Sequence, residues 1–171
     1  ILDEALRARQ GNEIVSTAAA LNWACEVLAQ PGKAVRLVGL SGVGKTRFTQ
    51  ALFEHAVTAK SLDPALALYT NMNDGPSPQP VAIATNLIAS AQRAVLIVDN
   101  CTSALHRQLA ELCAVSGSAV SLLTIEYDVR EDQPEGTEVL DLEPASEELI
   151  DTLLRRRFPD LSGVDARPIT V

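Results

Sequence analysis

One stretch restricts this chain more than any other: Gly39-Leu40-Ser41-Gly42-Val43-Gly44-Lys45-Thr46 matches GxxxxGK[ST] at every fixed position. A short apolar run, Ala34–Val38, leads into it, and an amphipathic segment starts at Lys45. Strand, glycine loop and helix in that order form a cradle for phosphate. Successive backbone N–H groups can point inward only at φ angles that glycine tolerates, and the free N–H groups of the following helix face the same point. In this pattern the lysine reaches the β- and γ-oxygens as a point charge, and the Thr46 hydroxyl is a magnesium ligand. The binding set read from the loop is Gly39, Ser41, Gly42, Val43, Gly44, Lys45, Thr46 and Arg47. Arg47 follows in the first helical turn, where a place near phosphate and a solvated helix face are equally open. A glycine-rich turn without ligand would not require the flanking strand and helix.

The rest of the chain alternates helix and strand. Glu13–Gln30 reads as a lead helix with Ile14, Ala18, Leu21, Ala24, Cys25 and Leu28 on one face, stopped by Pro31-Gly32. A helix from Lys45 to about Lys60, a strand at Leu66–Tyr69 and a proline-rich loop at Asn71–Pro80 follow. Then come a helix at Val81–Gln92, the strand Ala94–Val98, a helix at Ser103–Val115 and a β-rich run, Ala119–Ile125. An acidic turn at Glu131–Gly136, the strand Thr137–Leu142 and a helix at Ser146–Phe158 complete the pattern. His55 and His106 fall in helices, as structural or exposed residues. Five strands alternating with helices predict an α/β fold, a three-layer P-loop NTPase sandwich with helices on both faces of a parallel five-stranded sheet.

A phosphate loop needs an acid at the end of a neighbouring strand to hold magnesium. Ala94-Val95-Leu96-Ile97-Val98-Asp99 supplies it, so Thr46 and Asp99 are the metal candidates. A helix, a strand and another helix separate Lys45 from Asp99, so their strands are not sequential neighbours. Inserting Ala119–Ile125 between them gives the order 5-1-4-3-2. No NKxD occurs, and the guanine-reading signature is therefore missing; ATP or ADP with Mg2+ is the expected ligand.

Hydrolysis needs a group that orients and polarises water, and the residue after Asp99 is Asn100. An amide orients water but cannot take its proton. Either the chain is a slow or non-hydrolysing switch, or Glu126 on the adjacent strand does the work. The plainer reading of Glu126 is an exposed strand-end acid. The catalytic candidates are thus Lys45, Asp99, Asn100 and Glu126.

At 171 residues the chain is long enough for one domain with a proper core. A net charge of -8 argues against a nucleic-acid or anionic-membrane surface. Cys25, Cys101 and Cys113 are too few and too scattered for a zinc site or a disulfide framework, which points to a cytoplasmic setting. No apolar run is long enough to span a bilayer. The chain opens on Ile1 and closes in Arg167-Pro168-Ile169-Thr170-Val171. It is expected to be a fragment: residues 1–162 a P-loop domain, residues 163–171 a linker to a further C-terminal region.

Val35–Arg47, followed by Ala51-Leu52-Phe53-Glu54, resembles the bacterial STAND NTPases, the signal-transduction ATPases with numerous domains. Val95–Asn100 with Leu105-His106, Leu122–Arg130 and Val139–Ser146 are similar to that group's Walker B strand, sensor strand and strand-to-helix passage. Relatives often carry a Thr-Thr-Arg-like sensor whose arginine contacts the γ-phosphate; this chain has Thr124-Ile125-Glu126. The resemblance implies an ATP-dependent switch that forms a homo-oligomer when a fused sensor meets its trigger, often in antiviral defence, with sensor and effector domains beyond these residues. Arg155-Arg156-Arg157 would either complement a helix C-terminus or offer an arginine finger to a neighbour. The alternatives are a small P-loop kinase, which would need an arginine-bearing lid, and a degenerate module that holds nucleotide without turnover.

Overall fold

The computed structural model of the chain describes residues 7–10, 13–58, 60–126 and 136–143. The strands are β1 (Arg7–Gln10), β2 (Glu13–Ser16), β3 (Ala34–Val38), β4 (Ala67–Asn71), β5 (Ala94–Asp99), β6 (Val120–Ile125) and β7 (Thr137–Leu142). The helices are α1 (Thr17–Leu28), α2 (Lys45–Ala51), α3 (Pro80–Ala89) and α4 (Ser103–Cys113). The acidic segment 131–135, the helix expected at Ser146–Phe158 with its three arginines, and the linker 163–171 lie outside the described residues.

The sheet is seven-stranded and mixed, in the order β2-β1-β7-β3-β6-β5-β4, which corrects the expectation of a five-stranded parallel sheet. β7, β3, β6, β5 and β4 run parallel to one another. β1 is antiparallel both to β7 and to β2. The difference comes from β1 and β2, an antiparallel pair on the edge of β7; the lead helix expected from Glu13 begins only at Thr17. Ser16 explains the boundary. Its backbone is extended, and its side chain accepts a hydrogen bond from the Ala19 N–H, capping α1 at Thr17. Residues before a cap cannot continue the helix, and the branched Ile14 and Val15 pair with Arg9 and Ala8 instead. Ile14, expected on the buried helix face, is 61% exposed.

α2 ends at Ala51, well short of Lys60. Beyond it the amides of Leu52, Phe53 and Glu54 bond three residues back, to Thr49, Gln50 and Ala51, a tightening that closes helices. The turn lets the Leu62 N–H reach the Leu52 carbonyl and brings both leucines into the core.

Alternation along the strands builds two apolar layers. Val35, Leu37, Val95, Ile97, Leu123 and Ile125 pack with residues of α1 and α2, including Leu21, Leu28 and Phe48. Ala34, Leu96, Val98, Val120 and Leu122 pack with Ala84 of α3 and Leu109 and Cys113 of α4. Helices therefore cover both faces, and the carboxyl ends of the parallel strands gather at one rim, the place where open α/β sheets bind ligands. At the opposite rim Arg93 donates to the carbonyls of Leu28, Ala94 and Ala119 and to Ser121 Oγ, tying the end of α1 to β5 and β6. Cys25, Cys101 and Cys113 are buried free thiols, and burial lifts all three above the ordinary thiol range. No helix among the described residues is long and apolar enough to cross a membrane.

Candidate functional site

The loop between β3 and α2 turns through glycines at positive φ. Gly39 has φ +138°, and a Cβ there would stand 2.7 Å from the Leu142 carbonyl oxygen and 3.2 Å from Val43 Cγ2. The loop lies so close to the end of β7 that only glycine fits. Gly44, at φ +99°, is the left-handed residue from which α2 starts, and its carbonyl accepts the first helical bond from the Phe48 N–H at 2.8 Å.

Lys45 folds back over this loop. Its Nζ donates to the carbonyls of Gly39 at 2.6 Å and Leu40 at 2.8 Å. The residue is 7% exposed. Desolvation lowers its pKa below the usual lysine value, while the charges of Asp99 and Asp141 oppose that shift. Asp141, on β7 in register with Val38, was not singled out from the sequence. Its signal was an acid near the carboxyl end of an apolar strand, the same signal that marked Asp99.

A cavity of about 310 Å³ opens at the loop, lined by Ser41, Gly42, Gly44, Lys45, Thr46, Arg47, Asp99 and Ile125. The structure thus brings together Lys45, Thr46 and Asp99, although β5 and β3 are separated by β6. The Asp99 carboxylate is held at both oxygens: Oδ1 accepts from the Asn100 N–H and Oδ2 from the Tyr69 hydroxyl, each at 2.8 Å. Asn100 has φ +53°, a left-handed conformation that asparagine tolerates better than most residues. Its Nδ2 donates to Asn71 Oδ1 at 2.8 Å, while its Oδ1 is buried with no hydrogen-bond partner among the described residues.

Glu126 departs from its reading as an exposed acid. It is 1% exposed, and its Oε2 accepts from Arg36 Nε at 2.9 Å and lies 2.8 Å from Arg36 Nη2. Its neighbour Ile125, not Glu126, lines the cavity. Arg36 stands in the middle of β3, a buried guanidinium within a strand that reads as apolar. Thr124 Oγ1 donates to Glu126 Oε1 at 3.3 Å, and His106 Nδ1 lies 2.7 Å from the same Thr124 oxygen. His106 Nε2 is 3.0 Å from Thr137 Oγ1, so the cluster links β3, β6, α4 and β7. His55 instead is exposed and hydrogen-bonds Ser61.

Arg47 reaches the cavity wall while its guanidinium makes a two-pronged bond to Glu54, at 2.6 and 2.8 Å. That bond raises the Arg47 pKa and lowers that of Glu54.

The donor set suits a magnesium nucleotide. Among the described residues no group of three or more His, Cys, Asp or Glu could hold a metal alone. Magnesium takes few protein carboxylates and completes its shell with phosphate oxygens and water. Thr46 and Asp99, on one cavity beside Lys45, are the residues that would hold it.

No protein-family model matches the chain, and no curated protein matches it either. Among solved structures it is similar to a Rhizobiales Trip13, at 10% identity and TM-score 0.48, over 84% of this chain and 56% of that one. It is also similar to the ORC2 protein of Aeropyrum pernix, solved in ADPNP–ADP complexes, at 15% identity and TM-score 0.49, over 82% and 50%. A third likeness is to a signal transduction ATPase with numerous domains, with a tetratricopeptide repeat sensor, from Pyrococcus horikoshii, at 14% identity and TM-score 0.49, over 94% and 28%. The chain spans 56% or less of the length of each. At these values the chemistry of the site rests on the residues described above.

Proposed function

We propose that this chain is the nucleotide-binding core of a regulatory P-loop ATPase, holding ATP or ADP with Mg2+ at the Gly39–Thr46 loop. The observation that carries the reading is the convergence of Lys45, Thr46 and Asp99 on one cavity. Backbone N–H groups of the loop would cradle the phosphates, Lys45 would exchange its loop carbonyls for phosphate oxygens, and Thr46 and Asp99 would hold the metal. Bound magnesium supplies charge neutralisation at the phosphates.

Turnover in this reading is slow. Among the described residues Asp99 is the only carboxylate lining the cavity; Asn100 can orient water without accepting its proton, and Glu126 is committed to Arg36. Slow turnover suits a switch that waits in one nucleotide state. The multidomain context, trigger-driven self-assembly and a defence role extend this proposal from the STAND resemblance, with fused sensor and effector domains as partners.

Calorimetric titration with MgATP and MgADP, paired with phosphate-release assays, tests the reading. The expected result is saturable binding of both nucleotides, lost in Lys45→Ala, with phosphate release far slower than exchange. Transfer of the γ-phosphoryl group to a small-molecule acceptor would replace the switch with a kinase.

A further inference from the structure

β4 is the edge strand of the sheet, and its Ala67, Leu68 and Tyr69 are exposed. Tyr69 is 52% exposed, so core packing does not account for where its side chain lies. Its hydroxyl nevertheless donates to Asp99 Oδ2 at 2.8 Å. In the parallel register Tyr69 stands opposite Ile97 and Asn71 opposite Asp99, so the phenol runs along the strand to reach the carboxylate two residues on.

The second oxygen of Asp99 is fixed by a chain of bonds with one consistent assignment. The backbone N–H of Asn73 donates to the Asn71 side chain, so the accepting atom there is Oδ1. That oxygen also takes Asn100 Nδ2, which settles the orientation of the Asn100 amide. With its side chain anchored and its backbone left-handed, Asn100 delivers its own N–H to Asp99 Oδ1 at 2.8 Å. Tyr69 and Asn71, two apart on one strand, thus serve the same carboxylate from two sides.

We propose that Tyr69 is a positioning residue for metal-dependent nucleotide binding, setting the Asp99 carboxylate through its hydroxyl. The inference rests on the nucleotide-binding reading and adds a residue that no phosphate-loop motif contains. A carboxylate restrained at both oxygens meets the metal–nucleotide already oriented, and outer partners of that kind typically govern affinity about 10- to 100-fold. Because the phenol acts through Asp99, its effect belongs to the metal and not to the nucleotide alone.

The test is a magnesium titration of fluorescent ATP-analogue binding in wild type, Tyr69→Phe, Asp99→Ala and the double variant, with EDTA as baseline. Phenylalanine keeps the ring on an exposed edge and removes only the hydroxyl. Tyr69→Phe is expected to raise the half-saturating magnesium concentration about 10-fold while leaving affinity in EDTA unchanged. In the Asp99→Ala background the same change should do nothing, which a merely structural role would not produce. Unchanged magnesium dependence in Tyr69→Phe overturns the proposal alone, as does an equal loss in EDTA or in the Asp99→Ala background. Absence of analogue binding to wild type with or without magnesium overturns the nucleotide-binding reading, and this inference with it.

Discussion

The Glu126 carboxylate and the Arg36 guanidinium meet inside the protein, Oε2 to Nε at 2.9 Å, with both side chains almost fully enclosed. Glu126 also lies against the backbone of the phosphate-loop strand, where its N–H donates to the Leu37 carbonyl at 2.9 Å. The strand leading into the loop and the strand beside it are therefore locked together by charge as well as by the ladder.

Removing one partner of this pair leaves the other as an uncompensated buried charge. Arg36→Met is expected to cost about 3–5 kcal/mol in urea unfolding, and Arg36→Met with Glu126→Leu to recover much of that loss. A single change costing less than about 1 kcal/mol would show that the pair is not desolvated as described. Glu126→Gln should leave phosphate release per bound nucleotide unaltered, since the carboxylate is turned away from the cavity wall. Abolished turnover with binding intact would instead make Glu126 the group that activates water.

Gly39→Ala places a methyl group 2.7 Å from the Leu142 carbonyl at a φ of +138°. The backbone must shift, at a cost of about 1–3 kcal/mol in stability. Nucleotide affinity should fall with it, because the displaced loop is the phosphate cradle. A neutral melting temperature for this variant would contradict the close approach of loop and β7.

Arg93→Ala serves as the contrasting case. It deletes four hydrogen bonds at the rim far from Asp99 and should destabilise the fold by about 2–3 kcal/mol. Affinity for nucleotide in the folded protein should remain at the wild-type value. A loss of affinity without loss of stability would place Arg93 in communication with the loop.

The lysine has a pH signature. Burial depresses the Lys45 pKa from 10.5, so over the interval between its folded value and 10.5 the unfolded chain binds the extra proton. Stability of the nucleotide-free protein on this account rises with pH through that interval. Phosphate favours the charged form, so nucleotide affinity moves the opposite way and falls as pH rises through the same range. Asp99 and Asp141 hold the lysine pKa up, and Asp141→Asn should move the fall in affinity to lower pH. A titration insensitive to Asp141 would remove that residue from the site.

What could be read in advance follows the range of the interactions involved. Gly39, Gly44, Lys45 and Thr46 answer to local requirements of a phosphate loop, and Asp99 ends an apolar strand, so these positions are legible one segment at a time. The β1–β2 pair is not, because its short strands gain stability only on the β7 edge. In the sequence the helical spacing of Ile14 with the residues of α1 hides the two short strands. Glu126 looked like a surface acid because its partner Arg36 is remote in sequence and adjacent only once β3 pairs with β6. Tyr69 and Asn71 acquire their roles from the register of β4 on β5, which composition and motif do not encode.

The central claim, that the Gly39–Thr46 loop binds a magnesium nucleotide, is tested most directly by thermal unfolding with and without MgATP or MgADP. At a hundredfold excess over Kd, linkage gives about 2.7 kcal/mol of added stability, a rise in Tm of roughly 5–10 °C for a chain of this size. The account predicts that rise in wild type and its loss in Lys45→Ala. An unchanged Tm with both nucleotides in magnesium would contradict it.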